Sequence, residues 1–249
     1  MTDALITARN VTPQHIAMPS SAAISLDILA GNIYGFIGPD SIQVSFWLQT
    51  LAAIEPPAMG TVQFMGNDTT NLDRESWQTL RHNIAYLNAH SALLSVLSTQ
   101  ENILLPALYH KLATRESLLG NMANLLKQIE FADMANLSKL PAYIDELSYS
   151  QAMLVRVVIT SPRVIVIDNT LRHFDDRTSR KLLAFIRNYL AQSGASLLLH
   201  DDNADFVIRN ATKIIYVDNN TLLPFNSQNE LQASDNQHVL QYLHELAMN

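Results

Sequence analysis

The chain of 249 residues contains no cysteine, so disulfides and thiolate metal sites are excluded. Its formal charge is −7 and no run of Lys or Arg could neutralise a row of phosphates, which argues against nucleic acid as a partner. No apolar stretch approaches the roughly 18 residues that span a bilayer. Residues 1–8 lack the basic and apolar segments of a secretory signal. We therefore expect a globular protein that reaches a membrane only through a partner.

Glycine is scarce, with seven glycines in 249 residues, less than half of the usual level of about 7%. A fold that binds phosphates through glycine-rich loops should be richer in glycine than average. Glycine adopts positive φ readily and lets consecutive backbone N–H groups converge on phosphate oxygens. The scarcity predicts that any phosphate loop in this chain has lost part of its glycine.

Hydrophobic residues make up 48% of the chain and charged residues 16%, which excludes a disordered chain. Short apolar runs without strict alternation predict strands buried on both faces of a parallel sheet. Segments of helical length, such as Phe46 to Ile54 and Arg177 to Gln192, alternate with them, as in a doubly wound α/β core. The predicted strands are Ile33 to Ile37, Ile84 to Leu87, Val164 to Ile167, Ser196 to Leu199 and Ile214 to Val217.

The pattern along the chain predicts three parts. Residues 1–90 and 151–225 form the core, with an antiparallel β flank near the N-terminus. Helical spacing in residues 91–150 predicts an inserted helical subdomain. Residues 226–249 form an extension that ends in an amphipathic helix, which packs either on the parent domain or on a partner subunit.

The segment from Asn32 to Phe46 places a strand, a Gly-Pro turn and a helix in the order of a P-loop. The pattern G-x-x-x-x-G-K-[ST] requires a second glycine and a lysine, where this chain has Gln43 and Val44. Without the lysine, a charge-assisted hydrogen bond of about 1.5–3 kcal/mol to the phosphates is lost. The candidate nucleotide-binding residues here are Gly38, Pro39, Asp40, Ser41, Ile42, Gln43, Val44, Ser45 and Phe46.

Further motifs make the chain resemble ABC-transporter ATPases across residues 5–225. Gly31 to Pro39 is similar to the approach to that family's P-loop, and Leu97 to Ile103 is similar to its T-x-x-E-N-I motif. Glu146 to Gln151 is similar to the signature Leu-Ser-Gly-Gly-Gln, and Arg163 to Asn169 to the Walker B strand. The resemblance implies a P-loop NTPase-like (RecA-like) core with an antiparallel β flank and an inserted helical subdomain.

The resemblance also implies site residues. Asp168 would orient magnesium, and Asn169 replaces the glutamate that activates water. An amide cannot accept a proton near neutral pH, so the catalytic residues are vestigial. His200 matches the switch histidine, Ala89 stands where the Q-loop glutamine is expected, and His15 stands where an aromatic residue stacks on adenine. The signature residues, which clasp a nucleotide held by the opposite subunit, are Leu147, Ser148, Tyr149, Ser150 and Gln151.

These changes together predict a catalytically degenerate subunit, a pseudo-ATPase. It would pair with a competent ABC ATPase as a hetero-oligomer beneath a membrane permease, in the cytoplasm and peripheral on the inner membrane. We expect ATP and Mg²⁺ to bind weakly or not at all, with Ser45 and Asp168 as metal ligands only if Mg-ATP binds. Residues 229–243 are similar to the ending of ABC ATPases that serve lipid-trafficking systems with MCE-type proteins, which predicts lipid as cargo.

Two alternatives stay open. One is an active ATPase in which Lys213 or Lys111 replaces the missing lysine. The other is a free-standing regulatory binding protein without a permease.

Overall fold

A computed structural model describes residues 4–15, 24–88, 90–171, 176–218 and 221–248. The prediction of an α/β fold with parallel and antiparallel sheets is confirmed. Two sheets lie within the described residues, a six-stranded one and a four-stranded one. No described helix combines the length and the apolar character that spanning a bilayer requires.

The six-stranded sheet has the order β10-β9-β3-β8-β7-β6. Its strands β3, β6, β7, β8 and β9 run parallel, and β10 is antiparallel to β9. Every residue of β3, β7 and β8 is buried, because helices and the second sheet cover both faces, which explains the unbroken apolar runs. The strands are β3 (Ile33–Ile37), β6 (Ile84–Asn88), β7 (Val164–Asp168), β8 (Ser196–His200), β9 (Lys213–Asp218) and β10 (Thr221–Phe225).

The four-stranded sheet is antiparallel and has the order β2-β1-β4-β5. Helix α1 (Ser41–Leu51) lies between the two sheets, where its Trp47 is buried in one cluster with Ile6 of β1 and Phe36 of β3. The second sheet therefore holds the helix that follows β3 in place. Its strands are β1 (Ala4–Pro13), β2 (Ile24–Leu29), β4 (Pro57–Phe64) and β5 (Asn67–Asp68).

Helices dominate the chain between β5 and β7. Helices α3, α4 and α5 join the core cluster through Ile103, Leu126 and Leu154. Ser98 and Glu101 form a capping box at the start of α3, which fixes where that helix begins. The helices are α2 (Arg74–Arg81), α3 (Thr99–Tyr109), α4 (Arg115–Gln128) and α5 (Glu146–Val158), with 3₁₀ turns at Met134–Ser138 and Pro141–Tyr143. The division of the chain into a core, an inserted subdomain and an extension stays a prediction.

The remaining helices are α6 (Asp176–Ser193), α7 (Ala204–Asn210), α8 (Gln228–Gln232) and α9 (Gln237–Met248). In α9, Val239 and Tyr242 are buried in the main core cluster, and the Tyr242 ring lies 5.5 Å from that of Tyr216. The amphipathic helix predicted from the sequence thus packs on the parent domain.

One predicted boundary is wrong. The sequence pattern predicts the helix after the phosphate loop from Phe46 to Ile54, but α1 begins at Ser41 and ends at Leu51. The Asp40 side chain accepts hydrogen bonds from the backbone N–H groups of Ile42 and Gln43 and so starts the helix earlier. Residues predicted to form a loop are therefore its first turn.

Candidate functional site

The candidate site lies at the carboxyl ends of the parallel strands, where α1 begins. A cavity of about 330 Å³ opens there. None of the described residues that line this cavity is Lys or Arg, and His90 is the one basic side chain among them. The lining residues are Ser41, Ile42, Ser45, Phe46, Gln49, Asn88, His90, Asp168 and Asn169.

Asp40 occupies the N-terminal end of α1. Its Oδ1 accepts from Ile42 N at 2.9 Å and from Gln43 N at 3.4 Å, and its Oδ2 accepts from Gln43 Nε2 at 3.1 Å. Helix N-termini attract anions because free N–H groups and the helix dipole converge there. Here a carboxylate of the protein itself takes this place.

Gly38 and Val44 are fixed by packing. A Cβ on Gly38 would lie 2.1 Å from Val217 O, so only glycine fits where β3 passes into the loop. Val44, at the position of the P-loop lysine, is fully buried in the cluster that contains Trp47. Val44 thus contributes to the core instead of contacting phosphate. Pro39 lies between Gly38 and the helix cap.

Ser45 and Asp168 lie side by side beneath the cavity. Ser45 Oγ donates to Asp168 Oδ1 at 2.9 Å, and the Tyr86 hydroxyl donates to Asp168 Oδ2 at 2.7 Å. Burial, and then the charge of Asp168, raise the pKa of Tyr86 far above its usual value, so the phenol keeps its proton. Asp168 is only 4% exposed, and these two hydroxyl groups satisfy its carboxylate.

This pair fits Mg²⁺, since a serine hydroxyl and a carboxylate are hard oxygen ligands. Among the described residues, no group of three or more His, Cys, Asp or Glu side chains could hold a metal ion. Mg²⁺ in proteins usually keeps waters and shares one or two side chains with substrate phosphates. Ser45 and Asp168 are therefore suited to a metal that arrives with a nucleotide.

Asn169 stands directly after β7 with its backbone in the left-handed region, at a φ of 55°. Its N–H donates to His200 O at 2.9 Å, and its side-chain Oδ1 accepts from Asp202 N at 3.2 Å. Asp202 Oδ1 in turn accepts from Ser41 Oγ at 2.7 Å. Asn169 thus links the end of β7 to the segment after β8, and its side-chain oxygen already accepts a hydrogen bond.

His200 ends β8 and is 2% exposed. Its Nδ1 lies 3.1 Å from Phe36 O. Because a carbonyl oxygen can only accept, Nδ1 carries the proton, and Nε2 is an acceptor in the neutral ring. Within the described part of the chain, Nε2 is buried and has no hydrogen-bond partner.

His15 lies against α1. Its ring centroid is 4.9 Å from that of Phe46, and its Nε2 is 3.1 Å from Glu55 Oε2. The aromatic residue predicted to contact adenine is thus next to one that lines the cavity. Ala89, the predicted Q-loop position, lies outside the described residues.

The signature residues lie at the start of α5, and none of them lines the cavity. Ser148 is fully buried, and its Oγ contacts Asp145 Oδ2 at 2.6 Å and Asn136 Nδ2 at 2.9 Å. Gln151 is also buried, and its Nε2 donates to Ile129 O at 2.9 Å.

The other signature residues are more accessible. Tyr149 accepts from Leu93 N at 2.9 Å and lines a neighbouring cavity of about 200 Å³ together with Ser150. Leu147 is 39% exposed.

A second opening, which the sequence analysis missed, is a groove of about 540 Å³ between α2, α3 and α5. Arg81, His82, His110 and Arg156 line it, and none of its described lining residues is Asp or Glu. We call it the cationic groove. Burial, and then His82 and Arg81, lower the pKa of His110. These four basic residues lie in or directly after three helices far apart in the chain, so no local pattern could have predicted the groove.

Residues 22–172 match the family model described as ABC transporter. The methionine import ATP-binding protein of Brucella abortus is 26% identical over 195 residues, which cover 78% of this chain and 52% of the relative. The corresponding protein of Rhizobium etli is 27% identical over 202 residues, covering 81% and 55%. The chain spans about half the length of the curated relatives it matches.

Solved structures share the fold. The structure of cbiO1 from Clostridium perfringens, part of the ABC transporter complex cbiONQ, superposes with a TM-score of 0.78 at 15% identity and covers 98% of this chain and 95% of that one. An ATP-binding cassette in a post-hydrolysis state, bound to ADP and phosphate, superposes with a TM-score of 0.76 at 19% identity and covers 89% and 98%.

The prediction that ATP and Mg²⁺ bind weakly or not at all is wrong. The matched family and the relatives named above are ATP-binding proteins. The prediction gave the missing lysine and glycines too much weight, since Ser45, Asp168 and the first turn of α1 are all in place.

Proposed function

We propose, from the premise that this chain belongs to the ABC transporter family and carries its ATP-binding domain, that it is a subunit that binds ATP with Mg²⁺ but hydrolyses it slowly. It would pair with a competent ATP-binding subunit and work with a membrane permease, at the membrane through that permease. The observation that supports slow hydrolysis is the side chain of Asn169. The residue that follows Asp168 has no basic group, and its oxygen is bound by Asp202 N–H.

The chain's own residues account for binding. Ser45 and Asp168 would hold the metal, which supplies positive charge to the phosphates when bound. The N–H groups of Ile42 and Gln43 would donate to a phosphate once the Asp40 side chain turns away. His15 and Phe46 offer aromatic rings to the base. The described lining of the cavity contains no Lys or Arg, so the metal ion would be the main counter-charge.

Slow hydrolysis follows from proton chemistry. A positioned general base is worth about 10²- to 10⁴-fold in rate, and an amide does not take up a proton near pH 7. With Asn169 after Asp168, the attacking water has no carboxylate beside it, and His200 is not among the described residues that line the cavity.

The test is a comparison of binding with turnover in the purified full-length chain. Equilibrium binding of a fluorescent ATP analogue should be detected with Mg²⁺ and should weaken when Asp168→Asn removes the metal-binding charge. Phosphate release by the same preparation should stay at least 100-fold below that of a competent family member assayed beside it, a factor within the range a general base supplies. Turnover at the competent member's rate would defeat the proposal.

An active ATPase is the second candidate, because the named relatives are ATP-binding proteins of import systems. The substitute lysines considered from the sequence lie elsewhere. Lys213 pairs with Tyr34 in the sheet register, three residues before β3 ends, and its Nζ lies 3.4 Å from Asn226 Oδ1. Lys111 follows α3, and neither lysine lines the cavity. The same turnover assay separates this candidate from the first.

The cationic groove supports a permease as partner. The chain as a whole carries a charge of −7, yet this groove gathers two arginines and two histidines without an acid among its described lining residues. A permease segment that carries a carboxylate beside apolar residues would complement it. A free-standing regulatory protein would not need such a surface, so copurification of the chain with a permease from membranes distinguishes the two.

Two cargo classes remain as hypotheses. The names of the relatives favour import of a small molecule such as methionine, whereas the C-terminal sequence favours lipid. Extraction of the intact complex followed by mass spectrometry decides between them, because a lipid transporter should retain lipid after purification.

A further inference from the structure

Tyr86 is unexplained by the motifs of the sequence. It lies in β6, two residues before the end of the strand, beside β7. In the parallel register Asn88, not Tyr86, is level with Asp168. The Tyr86 side chain therefore reaches along the sheet to Asp168 Oδ2, at 2.7 Å.

Each oxygen of the Asp168 carboxylate accepts a hydrogen bond from a different hydroxyl group. Oδ1 accepts from Ser45 Oγ at 2.9 Å, beside the cavity, and Oδ2 accepts from the Tyr86 phenol. Because a carboxylate only accepts, the phenol must donate its proton to Oδ2. Gln49 also hydrogen-bonds to Tyr86.

We infer that Tyr86 is a positioning residue for the metal site: it holds Asp168 Oδ2 so that Oδ1 and Ser45 Oγ present themselves together to Mg²⁺. This inference rests on the proposed function, in which the chain binds ATP with Mg²⁺. Groups that orient metal ligands are commonly worth 10- to 100-fold in metal affinity. Ser45 can leave Asp168 and bind the metal, while Tyr86 keeps its hydrogen bond throughout.

A plainer role is that Tyr86 only satisfies a buried carboxylate. The two roles differ in what removal of the hydroxyl does to a chain that is still folded. A purely structural phenol would change thermal stability and leave the Mg²⁺ dependence alone. A positioning phenol changes the Mg²⁺ dependence itself.

The experiment uses the full chain with Tyr86→Phe, which removes only the hydroxyl. A fluorescent ATP analogue is titrated in EDTA and then at rising Mg²⁺ concentration. Affinity in EDTA should stay within twofold of wild type, and the Mg²⁺ midpoint should rise about 10- to 100-fold. Tyr189→Phe is the matched control, because it removes a partly buried phenol, as in Tyr86→Phe, that donates to Pro162 O at 2.8 Å in another part of the fold. Its Mg²⁺ midpoint should not move.

A Tyr86→Phe midpoint within twofold of wild type overturns the inference. If that variant fails to fold, wild-type protein with ¹³Cζ-labelled tyrosine provides a second measurement. One of the eight tyrosine signals should shift when Mg²⁺ is added to the nucleotide-bound chain, and no shift in any of them overturns the inference as well.

A wild-type chain that binds no nucleotide contradicts the proposed function instead. In that case the affinity for Mn²⁺ alone is measured by electron paramagnetic resonance in Tyr86→Phe and Tyr189→Phe without nucleotide. Equal Mn²⁺ affinities in the two variants overturn the inference.

Discussion

Side chains of the family's motifs have defined structural roles in this chain. Ser148 and Gln151 are buried and hydrogen-bonded within the helical region, and Asn102 donates to Leu94 O, Leu97 O and Ser98 O. The sequence predicted that these residues matter but not which bonds they form, because their partners are backbone atoms whose positions only the folded chain defines. The same holds for Asn169. The sequence shows that an asparagine follows Asp168, but it does not show that the asparagine side chain accepts a hydrogen bond from Asp202 N.

Asp40 should stabilise the nucleotide-free protein as the N-cap of α1. Replacing it with Ala removes the acceptor for two backbone N–H groups, and we expect a loss of about 1 kcal/mol in the free energy of unfolding. Urea denaturation followed by circular dichroism measures this. Asp40→Asn, which keeps an acceptor oxygen, should lose much less. Equal stability of Asp40→Ala and wild type would show that the cap contributes nothing.

At the scale of elements, the strands and most helices could be predicted because burial dictates an apolar pattern. The parallel strands are buried throughout and are visible as unbroken apolar runs. The start of α1 was missed because the P-loop resemblance suggested a loop, whereas the Asp40 cap favours helix from Ser41. The cationic groove could not be predicted from the sequence, because it depends on how three helices pack against one another.

The junction of β3 with α1 requires glycine at position 38. Gly38→Ala should lower the free energy of unfolding by about 1–3 kcal/mol, since its Cβ would lie 2.1 Å from Val217 O. Gly120→Ala is the control, because Gly120 lies in α4 with no atom within 4 Å of its added Cβ. That change should stabilise by about 0.5–1 kcal/mol through helix propensity. Calorimetric or urea unfolding of both variants tests the contrast, and equal effects would contradict it.

The groove between α2, α3 and α5 should bind the permease through charge. Arg156→Glu puts a carboxylate where an acidic segment is expected to dock, and we predict that association with the permease in nanodiscs weakens at least tenfold. Lys127→Glu makes the same charge change at an exposed position in α4, outside the groove, and should leave association unchanged. A similar loss in both variants would indicate a general charge effect.

For the whole molecule, scarcity of glycine has a visible consequence. Non-glycine residues adopt positive φ at several positions, although such a conformation costs of order 1–3 kcal/mol for most of them. They are Asn10, Ala53, Met65, Lys111, Glu130, Ser161 and Asn169. The sequence did predict a phosphate loop with less glycine than usual, but the strain at these positions depends on φ angles that composition does not reveal.

Tyr86 lines the cationic groove and also hydrogen-bonds to Asp168 beside the nucleotide cavity. The surface proposed for the permease and the proposed metal site therefore share one side chain. The order of motifs along the chain was enough to predict the fold, whereas the site residues assigned from those motifs stay predictions. It was not enough to predict ATP binding, because binding depends on groups other than the missing lysine, namely Ser45, Asp168 and the first turn of α1.

The fate of ATP on this chain inside the assembled transporter tests the central claim most directly. Photo-crosslinking with 8-azido-ATP that carries a label in either the α- or the γ-phosphate, after one turnover, reports what each subunit holds. We predict that this chain keeps the γ-label as fully as the α-label, while its competent partner keeps only the α-label. Loss of the γ-label from this chain at the partner's rate would contradict the account.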